Sequence, residues 1–95
     1  MTTTQQTVRV YSKPACVQCR MTQKWLEDRK VPFIHDSAED EGVIAAAREL
    51  GVAAAPIVVV QTPDPTSPAG FIDEVWGGFR PDLLDQHINT EEFAA

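Results

Sequence analysis

A chain of 95 residues and 10.5 kDa has room for one domain, since a second hydrophobic core would need roughly 50 further residues. Apolar residues at 43% and charged residues at 23% are globular proportions, and no apolar run approaches the ~18 residues of a membrane span. Eight basic against fourteen acidic side chains give a net charge of −6 and a pI near 4.7, which argues against nucleic acid or an anionic membrane as a partner.

In chain order, Met1 to Gln6 has neither the basic cluster nor the apolar stretch of a signal peptide, and residues 1–6 are expected to be loose. Thr7-Val8-Arg9-Val10-Tyr11-Ser12 alternates β-branched and polar residues and predicts a strand. Lys13-Pro14-Ala15 breaks it. From Cys16 onward, Val17, Met21, Trp25 and Leu26 recur at helical spacing, and the pattern stops near Arg29-Lys30, ahead of Pro32. Phe33-Ile34-His35-Asp36 predicts a short second strand. An acidic loop from Asp36 to Glu41 then opens a helix with Val43, Ile44, Ala47 and Leu50 as its apolar stripe and Gly51 at the position after its cap. Ile57-Val58-Val59-Val60 is an unbroken apolar run, the pattern of a strand buried on both faces. Gln61 to Gly70 predicts a loop containing Pro63, Pro65 and Pro68, and Phe71 to Trp76 a fourth strand. Pro81 and Asp82 open a last helix carrying Leu83, Leu84 and Ile88, and residues 91–95 are expected to fray.

The order β-α-β-α-β-β-α implies an α/β domain over residues 1–95. Its first two strands are expected parallel, its last two antiparallel, in a mixed four-stranded sheet covered by three helices. That arrangement is the thioredoxin fold.

Two cysteines, Cys16 and Cys19, are too few and too close for a disulfide scaffold, which points to a reducing compartment, the cytoplasm. On a helix, positions i and i+3 hold their Cβ atoms about 5–6 Å apart, within reach of a disulfide. At a helix start the sulfur of Cys16 would face unsatisfied N–H groups and the positive end of the dipole, which favours the thiolate. The effect is large. A thiol with a pKa of ~8.5 is about 3% ionised at pH 7, whereas one tuned to ~7 is about half ionised. Cys16 is therefore assigned as the attacking thiolate and Cys19 as the resolving thiol. Lys13 stands close enough in sequence to add charge, although a solvated lysine explains it as well. A structural zinc would need four ligands, and only His35 and His87, in other elements, could join the cysteines. Ala55-Pro56 places a proline just before a buried strand, where it removes a ladder donor. A cis Xaa-Pro bond costs little, and the resemblance to thioredoxin-type sites implies a cis proline here opposite the cysteines, with the backbone of Ala55 open to an incoming peptide.

These residues resemble a family. Cys16-Val17-Gln18-Cys19 after the first strand, Ala55-Pro56-Ile57-Val58, and Trp76-Gly77-Gly78-Phe79-Arg80-Pro81-Asp82 together look like an NrdH-type redoxin, a glutaredoxin-like member of the thioredoxin superfamily, over residues 7–88. The resemblance implies an electron carrier that supplies class Ib ribonucleotide reductase and is reduced by NADPH-dependent thioredoxin reductase. It implies no cofactor on the chain, NADPH and FAD staying on the partner reductase. Trp76, Gly77, Gly78, Phe79 and Arg80 would then form a packed patch beside the cysteines that admits a protein surface and excludes glutathione. Trp76 and Phe79 also read as caps on the core, a reading compatible with the patch, and Trp25 reads as packing on the first helix. Two features depart from the family: Ala54 stands where a glutamine is usual, and the Gln61–Gly70 connection is long; the absence of an acidic residue after the glycine pair instead separates the chain from glutathione-using glutaredoxins. The alternatives are a glutathione- or mycothiol-coupled glutaredoxin, a thiol sensor or arsenate-reductase-like protein, and a metal module. A small acidic carrier is expected to be a monomer with a potential nearer about −270 than −200 mV.

Overall fold

Strand β1 (Thr7–Ser12) alternates half-buried and buried residues, so Val8, Val10 and Ser12 turn to one face and Thr7, Arg9 and Tyr11 to the other. In this computed structural model, which describes residues 6–52 and 54–90, β1 is a central strand. It runs parallel to β2 (Ile34–Ser37) and antiparallel to β3 (Ile57–Pro63), and β3 pairs antiparallel with β4 (Phe71–Gly77). The sheet order is β2-β1-β3-β4. With α1 (Val17–Asp28), α2 (Glu41–Glu49) and α3 (Pro81–His87), the element order is the one expected. None of the described helices is long and apolar enough to cross a membrane.

The core lies on one side of the sheet. Val8 and Val10 of β1, Val58 and Val60 of β3 and Trp76 of β4 meet Trp25 and Leu26 of α1 and Leu84 and Ile88 from the end of the chain, all buried. Burial of each such side chain contributes about 1.5–3 kcal/mol. The register explains why Trp76 belongs here: it pairs with Val58, and paired residues share a face.

Several expectations are corrected. The buried stripe of α1 is Cys19, Thr22, Trp25 and Leu26, while Val17 is 61% exposed and Met21 also faces solvent. Thr22 is tolerated inside because its hydroxyl donates to the Gln18 carbonyl at 2.9 Å. β3 alternates instead of burying both faces: Val58 and Val60 are sealed, Ile57 and Val59 only half-buried. The cause is α2. It places only Ala47 fully inside, Leu50 is 62% exposed, and an open groove of about 340 Å³ remains between it and Tyr11, Val59 and Val75.

The helix ends follow their local chemistry. The Asp40 carboxylate caps α2 by accepting the N–H groups of Gly42 and Val43, at 2.9 and 3.2 Å. At its other end Gly51, at φ +74°, donates to the Arg48 carbonyl and Val52 to that of Ala47, the paired bonds of a Schellman stop. At the end of α1 the Arg29 guanidinium lies 4.0 Å from the centroid of Trp25, and its Nη1 donates to the Trp25 carbonyl.

The connection between β3 and β4 is tighter than the predicted loop from Gln61 to Gly70. Pairing continues through Thr62–Ile72 and Pro63–Phe71, and residues 64–70 close it. The Asp64 carboxylate accepts the Thr66 hydroxyl at 2.6 Å and its N–H at 2.9 Å, and these bonds lower its pKa. Gln6, expected among loose residues, is anchored instead. Its side-chain nitrogen donates to Thr62 Oγ1 and to the His87 carbonyl, and its oxygen accepts the Asn89 N–H. Residues 1–5 and 91–95, the rest of the expected loose ends, lie outside the described residues.

Candidate functional site

Cys16 is the N-cap of α1, in an extended conformation of φ −108° and ψ 108°. Its Sγ accepts the Cys19 N–H at 3.2 Å, so the sulfur satisfies one of the helix's orphan donors. Ala15, at φ +55°, turns the chain into this position. Such a torsion is uncommon for a residue with a Cβ and sits at the site itself. One turn into the helix Cys19 is 2% exposed, whereas Cys16 is half-buried. The two form a disulfide with a Cα separation of 5.2 Å. The more accessible cysteine is thus the N-capping one.

Two segments close around Cys16. In the first the Ala55–Pro56 bond is cis, Pro56 is buried, and the Ala55 carbonyl oxygen lies 3.8 Å from Cys16 Sγ. The second, bonded to the first and joined to the cysteine motif through Gln18, is the turn of Gly77, Gly78 and Phe79. Gly78 donates its N–H to the Pro56 carbonyl at 2.8 Å, and Phe79 donates its N–H to Gln18 Oε1 at 2.9 Å. Both glycines are required by what surrounds them. A Cβ on Gly77 would sit 2.6 Å from the Ala54 carbonyl oxygen. Gly78 has φ +83°, and a Cβ there would sit 2.9 Å from Gln18 Oε1.

Lys13 is exposed and lines a groove of about 550 Å³ that runs past Ala54 and Ala55 to Ile44 and Arg48 of α2. Ala54, standing where the family usually has glutamine, contributes only backbone and a methyl group to this wall.

The aromatic patch is corrected in part. Trp76, 6% exposed, is a core residue whose ring centroid lies 5.8 Å from that of His87, and its buried Nε1 donates to no described group. Phe79 is half-buried against the core. Arg80 is exposed, but its guanidinium holds both oxygens of Asp82, at 2.9 and 3.1 Å. That pair raises the Arg80 pKa and lowers that of Asp82, the hydrogen bond being the larger cause in each. His35 hydrogen-bonds Gln23, and among the described residues no histidine or carboxylate joins the cysteines in a group that could hold a metal ion. Gln18 was missed by sequence reasoning. Its place between two cysteines was the available signal, but only the fold shows what its side chain reaches.

A vicinal dithiol capping a helix, set against a cis-proline loop in a thioredoxin fold, defines a thiol–disulfide redox protein. The family model described as Glutaredoxin matches residues 8–62. The glutaredoxin-like protein NrdH of Lactococcus lactis subsp. cremoris is 33% identical over 78 residues, covering 81% of this chain and 93% of that protein. The solved structure of the NrdH-redoxin of Escherichia coli, described as glutaredoxin-like with a thioredoxin-like activity profile, superposes with a TM-score of 0.62 at 26% identity. It covers 83% of this chain and 91% of its own. Trichomonas vaginalis thioredoxin, at 18% identity and a TM-score of 0.57 over 93% of this chain and 78% of its own, shares the fold. The chain belongs to the glutaredoxin family, as an NrdH-type redoxin.

Proposed function

We propose that this redoxin carries electrons to a class Ib ribonucleotide reductase and is itself reduced by an NADPH-dependent thioredoxin reductase. The observation that carries the redox chemistry is the Cys16–Cys19 disulfide, with its outer sulfur on the helix N-cap and 3.8 Å from the Ala55 carbonyl. The choice of partners is supported by the NrdH relatives, one of them described as thioredoxin-like in activity.

In the reduced state the N–H groups of the first turn of α1 favour the Cys16 thiolate. The thiolate attacks one sulfur of the partner's disulfide, forming a mixed disulfide and releasing the partner's other sulfur as a thiolate, which takes up a proton. Cys19 loses its proton, attacks Cys16 Sγ and releases the partner's second sulfur. The partner gains two electrons and two protons, and the redoxin is left with the Cys16–Cys19 disulfide. The flavoprotein returns two electrons by the same exchange in reverse, so FAD and NADPH remain on the reductase and the chain needs no cofactor.

The backbone of Ala55, backed by the buried ring of Pro56, forms one wall of the docking surface, and the turn of Gly77, Gly78 and Phe79 adjoins it through the Gly78–Pro56 hydrogen bond. Lys13 and Arg80 stand on its rim, and Trp76 supports the turn from inside the core. The carrier acts as a monomer in the reducing cytoplasm.

The test follows NADPH consumption by the oxidised protein with thioredoxin reductase, or with glutathione and glutathione reductase, against a Cys16→Ser control. Turnover through thioredoxin reductase alone, lost in the control, is expected. Turnover through glutathione alone would make the protein a glutathione-coupled glutaredoxin instead.

A further inference from the structure

Gln18 lies between the two cysteines, exposed on the first turn of α1, so it is not there to fill the core. Its side chain crosses to the opposite turn, where Oε1 accepts the Phe79 N–H at 2.9 Å. The same turn is held from its other side by the bond from the Gly78 N–H to the Pro56 carbonyl at 2.8 Å. Pro56 follows Ala55, whose carbonyl faces Cys16 Sγ. The contacts close a ring: cysteine motif to glycine turn, glycine turn to proline loop, proline loop back to the sulfur. Gly78 is fitted to this ring twice over, since a side chain there would both need an unfavourable φ and strike Gln18 Oε1. An exposed glutamine held in one rotamer loses side-chain entropy, and the bond to Phe79 is what it gains in return.

We infer that Gln18 is a positioning residue, which sets the Gly78–Phe79 turn at a fixed distance from the cysteine motif and so preforms the surface on which a protein disulfide docks. The inference rests on the dithiol reading above. Gln18 is assigned no contact with the reacting sulfurs. A small disulfide needs only the approach to Cys16, whereas a protein disulfide must meet both the Ala55–Pro56 wall and the turn in register. Preorganisation of the second wall therefore acts on protein substrates selectively.

The experiment compares the wild type with Gln18→Met, which has a similar length and no acceptor, and Gln18→Glu, which keeps an oxygen at the same reach. Each protein is reduced with dithiothreitol, freed of it, and mixed with excess insulin or excess cystamine. Loss of its thiols is followed by alkylation quench, so no flavoprotein enters the assay. Gln18→Met is expected to react about fivefold more slowly with insulin, the effect of one net hydrogen bond, and within about twofold of the wild type with cystamine. Gln18→Glu is expected to restore the insulin rate. Amide exchange at Phe79, read by NMR, should accelerate in Gln18→Met and not in Gln18→Glu. An unchanged insulin rate in Gln18→Met, an equal loss with cystamine, or no rescue by Gln18→Glu would each overturn the inference. A wild type inert toward both disulfides would overturn the dithiol reading itself, and this inference with it.

Discussion

At the scale of single residues, the site is set by small groups in tight places. Gly77 needs to be glycine because the Ala54 carbonyl oxygen would lie 2.6 Å from its Cβ, a contact with backbone that no rotamer change relieves. Gly77→Ala is therefore expected to destabilise the fold by about 1–3 kcal/mol, read as a shift of the urea midpoint at constant slope. The two cysteines differ in access, Cys19 being 2% exposed and Cys16 half-buried. Cys19→Ser is expected to trap a mixed disulfide between Cys16 and a protein target, visible as a reducible higher-mass band, and Cys16→Ser to trap none. A band through Cys16→Ser instead would reverse the assigned order of attack. Trp76 shows how far residue-level reading reaches: the chain offers both a patch beside the cysteines and a cap on the core, and pairing with Val58 turns the indole into the core.

At the scale of elements, each helix contributes differently. The cap of α1 is the Cys16 sulfur, so the donors that other helices satisfy with Ser or Asp are aimed here at the sulfur proposed to attack. α2 is well capped at both ends yet covers its face of the sheet loosely, which leaves the groove beside Ala54 and Ala55 open. The entry to α3 is stiffened by Arg80 and Asp82. The Asp82 carboxyl is held below its ordinary pKa, chiefly by the Arg80 hydrogen bond. A carboxylate with a folded pKa below its unfolded one stabilises fully above the unfolded value, and that stabilisation disappears as the pH falls through the folded value. Asp82→Asn is thus expected to lower the urea midpoint slightly at neutral pH and to match the wild type in acid. The pair is exposed, so the difference is small, and a gap that widened on acidification would contradict the assigned sign.

At the scale of the whole molecule, Gln6 ties the start of β1 to Thr62 on β3 and to His87 and Asn89 at the end of the chain. Segments far apart in sequence thereby close the sheet against α3. Gln6→Ala is expected to cost about 1–2 kcal/mol, since the His87 carbonyl and the Asn89 N–H both lose their partner. Equilibration against a dithiothreitol buffer is expected to place the Cys16–Cys19 couple nearer about −270 than −200 mV, in the range of thioredoxin and not of glutaredoxins, and a value above the glutaredoxin range would contradict it. The element order, the cysteine pair as a helix cap, Gly51 as a helix stop and the proline loop were all legible along the chain. Each depends on torsional preference, periodicity or spacing between neighbours, and these are local quantities. The facing of Val17 and Met21 to solvent, the anchoring of Gln6 and the reach of Gln18 to Phe79 were not legible. Each depends on which residue from a distant segment arrives opposite, and strand register and helix docking decide that only once the chain has folded.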